Sequence, residues 1–210
     1  MTFTKILDSD SLKIYSSEIS EEWEKSALDE RLGKFPSFVR ISILKYTNWK
    51  DKQLRVLGKE LLQRLLADFG ESQLADLRTL DYTSNNRPFI KGRIDFNISH
   101  SGNKVVCAAS AIGKVGLDIE WMAKCNPEDF KEYFNEEDVM HMNADPNPPL
   151  LFYRFWTRRE ALSKAMGSGI LFKESISLTD LVNLGKKNYQ LTNFDIEGSY
   201  IAALALEVII

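Results

Sequence analysis

Cysteine, histidine and proline are scarce in this 210-residue chain, with two, two and six copies. The two cysteines, Cys107 and Cys125, are too few for a disulfide framework and lack metal-ligand spacing. They read as inert thiols in a reducing compartment. Charge of one sign is also missing: 27 Lys and Arg stand against 30 Asp and Glu, a net charge of −3. No global field therefore draws the protein to nucleic acid or to an anionic membrane surface, and any anion site has to be a local cluster. No stretch reaches the roughly 18 apolar residues of a membrane span, and the segment after Met1 has no apolar core of the signal-peptide kind. The expected location is the cytoplasm. Walker A, the dinucleotide fingerprint and the G-x-S-x-G elbow are all lacking. What remains is ordinary globular composition, 44% hydrophobic and 27% charged, in a length that suits one domain or two small lobes.

Periodicity supplies the elements. The segment through Leu7 reads as a strand, and Ser20 as the cap of a helix that begins at Glu21 and runs toward Gly33. Leu54, Leu57, Leu61, Leu65 and Phe69 share one helical face, with Gly70 placed to end that helix. Gly58 interrupts the pattern and suggests a close approach to the backbone. Ile94, Phe96 and Ile98 alternate with polar residues; two short apolar runs, Val105 to Ala111 and Val115 to Ile119, then read as strands of a hairpin turning at Ile112-Gly113-Lys114. Asn126-Pro127 opens a helix with Phe130, Tyr133 and Phe134 on its apolar face, and a short acidic helix follows Asn135. A long helix covers Leu150 to Met166 and stops at Gly167. Two strands, Asn188 to Phe194 and Tyr200 to Ile210, close the chain around a turn at Glu197-Gly198. Strands and helices mixed without regular βαβ alternation argue for an α+β fold.

Three places carry chemistry. Asp118 and Glu120 flank Ile119 in a strand, so a period of two puts both carboxylates on one face. Taken alone they fit a solvated strand edge; the apolar, Gly-containing run Val115-Gly116-Leu117 before them argues for a site at its end. Glu160 and Lys164 lie four apart on the long helix, with Trp156 one turn earlier. That pair fits a surface ion pair, or a third carboxylate for a hard cation with a lysine for a phosphate oxygen. His100 sits in Asn97-Ile98-Ser99-His100-Ser101-Gly102, read as a polar loop at a strand end. His141 reads as structural.

The ordered set of motifs resembles the Sfp-type 4'-phosphopantetheinyl transferases. The matching segments are Asn86-Arg87-Pro88-Phe89, Phe96 to Gly102, Val115 to Glu120, and Phe155-Trp156-Thr157-Arg158-Arg159-Glu160-Ala161-Leu162-Ser163-Lys164 with Gly167 and Gly169. The N-terminal third matches only in its helix with Leu57-Gly58-Lys59. The resemblance implies two similar α+β lobes related by pseudo-twofold symmetry, residues 1–111 and 112–210, with coenzyme A in the cleft between them. It implies transfer of the coenzyme's phosphopantetheine arm onto a serine of an acyl or peptidyl carrier protein, with release of adenosine 3',5'-bisphosphate. Asp118, Glu120 and Glu160 then look like Mg²⁺ ligands, Lys164 like a pyrophosphate contact, Ser99 and His100 like coenzyme phosphate contacts, and Arg87 with Pro88 like the adenosine-side wall. By rough offset, Arg40, Lys45 and Arg55 stand for the family's N-terminal basic cluster. The serine's proton goes to Glu160, to a metal-bound water or to a further acid; Asp138 stands where the family often has Glu, and Arg159 where Lys is common. Met122, Phe130, Val139 and Met140 are the apolar candidates for the carrier surface. A monomer is expected. Two rival readings keep the same acids: a coenzyme A-binding protein without transferase activity, and a metal-dependent phosphodiesterase.

Overall fold

The computed structural model describes residues 3–167, 180–184, 186–197 and 199–208, which fall into two compact units, Met1–Ile112 and Gly113–Ile210. Gly169 and Gly198 lie outside the described residues. The first unit contains β1 (Thr4–Asp8), β2 (Leu12–Glu18), α1 (Lys25–Leu32), α2 (Ser37–Leu44), α3 (Trp49–Asp68), β3 (Leu80–Tyr82), β4 (Pro88–Ile90), β5 (Asp95–Ser101) and β6 (Lys104–Ser110). The second contains β7 (Val115–Trp121), a 3-10 helix over Pro127–Tyr133, α4 (Glu136–Ala144), α5 (Pro148–Met166), β8 (Leu181–Leu184), β9 (Lys187–Ile196) and β10 (Tyr200–Val208). Each unit lays one long helix on a four-stranded antiparallel sheet, ordered β1-β2-β6-β5 in the first and β7-β10-β9-β8 in the second. The α+β class follows directly.

The buried stripe of α3, from Leu54 through Leu57, Leu61 and Leu65, packs against Phe96, Val105 and Cys107 of the first sheet. Asn48 opens this helix by accepting a hydrogen bond from the Lys50 amide at 2.8 Å. The neighbour anticipated at Gly58 is the sheet itself: a Cβ there would stand 2.9 Å from Ile98 Cγ2 and 3.3 Å from Val105 Cγ2. Gly58→Ala gains about 1 kcal/mol of helix propensity but forces two stiff β-branched side chains to move, at about 1–3 kcal/mol. A net loss of about 1 kcal/mol is therefore expected, read as a lower urea midpoint at unchanged slope; a raised midpoint would sink the packing argument.

Three local expectations are corrected. The helix placed at Glu21 begins at Lys25, because Trp23 is drawn against the core and its ring lies under the Arg31 guanidinium at 4.3 Å. The hairpin placed at Ile112-Gly113-Lys114 does not form: β6 pairs with β2 and β5, while β7 pairs with β10. The true hairpin joins β5 to β6 around Gly102, whose φ is +57°. His100 therefore stands in a strand, opposite Val105, and not in a loop. No helix among the described residues is long and apolar enough to cross a membrane.

Candidate active site

In the second unit the acids are carried by two elements pressed together without a gap. β7 is buried from Val115 to Ile119 and runs antiparallel to β10, with Asp118 opposite Ala203 and Glu120 opposite Ile201. α5 starts at Asn147, whose side chain accepts from the Leu150 amide, and ends at Gly167. It lies across β7 at Gly116: a Cβ on that residue would fall 1.9 Å from the Ala161 carbonyl oxygen and 2.4 Å from the Ala165 amide nitrogen. Those two contacts flank Glu160 and Lys164 by one residue each. Direct backbone contact thus fixes the height of β7 against the helical turn that presents them.

Asp118 is almost wholly buried, 3% exposed, and its Oδ1 accepts from Lys164 Nζ at 2.5 Å. Burial holds the Glu160 carboxyl above the usual carboxylate range; the Lys164 ammonium pulls it down, and the charges of Asp118 and Glu120 push it up. Three carboxylates and one ammonium share a field, so the cluster carries two net negative charges when all four groups are ionised. Among the described residues no three Asp, Glu, His or Cys side chains are gathered as ready ligands for a metal. The chemistry of the donor set nevertheless fits a hard divalent cation, since every donor is a carboxylate oxygen and the cluster is short of positive charge.

The first unit holds a cavity of about 510 Å³ between α2, α3, β3, β4 and β5. Lys45, Arg55, Lys59 and His100 line it with Tyr82 and Pro88, and among the described residues no carboxylate does. The Arg55 guanidinium stacks on the Tyr46 ring at 3.7 Å, and its buried Nε has no hydrogen-bond partner among the described residues. A buried donor left open in an acid-free wall is a place for an anion.

The 4'-phosphopantetheinyl transferase superfamily profile matches residues 114–205, the stretch that carries β7 and α5. A 4'-phosphopantetheinyl transferase of Aneurinibacillus migulanus, gsp, is 29% identical over 177 residues, which cover 81% of this chain and 66% of the relative. Residues 114–205 are thus similar to the 4'-phosphopantetheinyl transferase superfamily. HetI of Nostoc sp., also named as a 4'-phosphopantetheinyl transferase, is 28% identical over 58% of this chain and 54% of its own. A putative 4'-phosphopantetheinyl transferase of Haemophilus influenzae is 36% identical over 57% of this chain and 53% of its own. The chain thus spans about half to two thirds of the length of these relatives.

Not every residue singled out by the resemblance joins a site. His100, Pro88 and Arg55 line the cavity as described. Arg87 is turned to Asp95, donating through Nη1 at 3.0 Å and Nη2 at 2.6 Å, with both side chains largely buried. Ser99 is buried and, by strand alternation, lies on the face of β5 away from Ile98 and His100. Arg40 is exposed on α2, outside the cavity wall. Asp138 is the counter-ion of a buried arginine: its Oδ2 accepts from Arg159 Nη2 at 3.1 Å, the two side chains being 1% and 3% exposed. The Arg159 guanidinium also lies over the Phe134 ring at 5.0 Å. Of the four apolar surface candidates, Met122, Phe130 and Val139 pack on the core of the second unit, and Met140 is exposed. Lys59 stands in the matching Leu57-Gly58-Lys59 without a site role assigned by it, and Tyr82 lies in no motif; each comes from a different element, and only the fold brings them to one wall.

Proposed function

We propose that this protein transfers the 4'-phosphopantetheine arm of coenzyme A to a serine hydroxyl of an acyl or peptidyl carrier protein, releasing adenosine 3',5'-bisphosphate. It works as a monomer in the cytoplasm, with Mg²⁺ held by Asp118, Glu120 and Glu160. The observation that carries this reading is the convergence of those acids and Lys164 on two elements in backbone contact at Gly116. The names of the relatives support the reaction class. Bound Mg²⁺ supplies charge neutralisation on the coenzyme's pyrophosphate, which phosphoryl-type transfer needs more than covalent catalysis. Lys164 contributes a point charge that moves from Asp118 to a phosphate oxygen. Glu160, which shares its helical face with Lys164, is the acid placed to accept the serine proton. The serine oxygen forms its bond to phosphorus as the bond to the departing bisphosphate breaks. The cavity of the first unit, with its open Arg55 donor, serves the coenzyme's adenosine-side charge.

Intact-mass spectrometry of apo carrier proteins incubated with this protein, coenzyme A and Mg²⁺ tests the proposal. The carrier is expected to gain the mass of one phosphopantetheine arm, and Glu160→Ala, Asp118→Ala or a chelator to slow the gain at least about 100-fold. Unmodified carriers with coenzyme bound intact would instead identify a coenzyme-binding protein. Coenzyme cleaved without a carrier would identify a phosphodiesterase.

A further inference from the structure

Lys59 is the cation of the first-unit cavity that the expected phosphate contacts do not account for. It follows Gly58 on α3, and the close seating of the helix on Ile98 and Val105 at that glycine draws the next side chain inward. The groups facing it are Arg55 on its own helix, Cys107 of β6, His100 of β5, Tyr82 of β3, and Lys45 with Tyr46 after α2. Burial pushes up both the Cys107 thiol and the Tyr82 hydroxyl, so neither supplies a negative charge near neutrality. Lys59 is thus set against other cations with no carboxylate on the wall.

We propose that Lys59 is a specificity-determining residue for the coenzyme's phosphomonoester, supplying from the acid-free wall of this cavity the ammonium that meets the dianion. The inference rests on the coenzyme reading above. Of the coenzyme's phosphates only the 3'-phosphate is a monoester, and a phosphomonoester carries close to two negative charges above pH 7. Burial brings the Lys59 ammonium down to about 8, the neighbouring Arg55 adding to the fall. A bound dianion reverses this by favouring the charged form. The sign follows: below about pH 8 the ammonium is already present and binding takes up no proton. Above it, binding must protonate Lys59 and affinity falls as pH rises.

Calorimetric titration with adenosine 3',5'-bisphosphate, which carries the same 3'-phosphate and has no thiol, tests this in two buffers of different ionisation enthalpy. The wild type is expected to take up a proton at pH 8.5 and to lose roughly eightfold in affinity between pH 8.5 and 9.5. Lys59→Met is expected to bind roughly 10- to 100-fold more weakly at pH 7.5, with a flat pH profile and no preference over adenosine 5'-phosphate. Lys59→Arg keeps a permanent charge, and is expected to retain affinity while losing both proton uptake and the pH slope. A wild-type slope in either variant overturns the assignment. Carrier modification at pH 7.5 separates the two levels of failure: a modified carrier with an unaltered slope removes the role of Lys59 alone. No binding of bisphosphate or coenzyme and no modification removes the coenzyme reading with it.

Discussion

Gly116→Ala is expected to cost about 3 kcal/mol or more and to reduce transfer to the carrier at least about 100-fold in whatever protein still folds. The new methyl group would stand 1.9 Å from the Ala161 carbonyl oxygen and 2.4 Å from the Ala165 amide nitrogen. Neither atom can move aside as a side-chain tip does, because both belong to the hydrogen-bonded backbone of α5. β7 must therefore lift away from the helix. Lifting it separates Asp118 and Glu120 from Glu160 and Lys164, and a site of this kind tolerates only about 0.5 Å of displacement. The contrast with Gly58→Ala is the internal control, since its nearest neighbour is a side-chain methyl at 2.9 Å. Urea unfolding followed by tryptophan fluorescence reads the stability, and intact mass of the carrier reads the rate. Gly116→Ala with wild-type stability and activity would show that the β7–α5 contact does not set the geometry of the acids.

What could be read from the chain follows from how local each signal is. α3 was legible because its apolar residues repeat every three or four positions, and α5 because a proline can open it and a glycine follows its last turn. Asp118 and Glu120 on one strand face, and Glu160 with Lys164 on one helix face, were legible for the same reason, since each pair lies within a single element. The meeting of the two pairs depends on packing at Gly116, which no spacing encodes. The Ile112-Gly113-Lys114 segment was misread because a glycine between two apolar runs looks like a hairpin. The partner of β7 is β10, whose pairing begins with Trp121 opposite Tyr200, and strands that far apart leave no local trace. Arg87 carried a motif's suggestion of a ligand role, yet Asp95, eight residues on, holds its guanidinium in the fold. Asp138 was found by counting along a motif, and its partner Arg159 lies 21 residues away on another helix.

That pair separates a proton acceptor from a structural counter-ion. Asp138→Ala leaves the Arg159 guanidinium buried at 3% exposure without its carboxylate, and a broken buried pair of this kind costs about 3–5 kcal/mol. Burial already works against the Arg159 charge, and the hydrogen bond and field of Asp138 are what oppose it. Asp138→Leu combined with Arg159→Met removes both charges from an apolar setting beside Phe134, and is expected to recover most of the lost stability. Activity then decides the role. A general base contributes about 10²–10⁴-fold, so if Asp138 accepted the serine proton, Asp138→Asn would lose that factor in kcat even where the protein remains folded. As a counter-ion that seats Arg159, one residue from Glu160, it is instead expected to show a lowered urea midpoint, kcat within about tenfold of wild type, and an unchanged pH profile. A loss of 100-fold or more in kcat with the stability of Asp138→Asn intact would move the proton from Glu160 to Asp138.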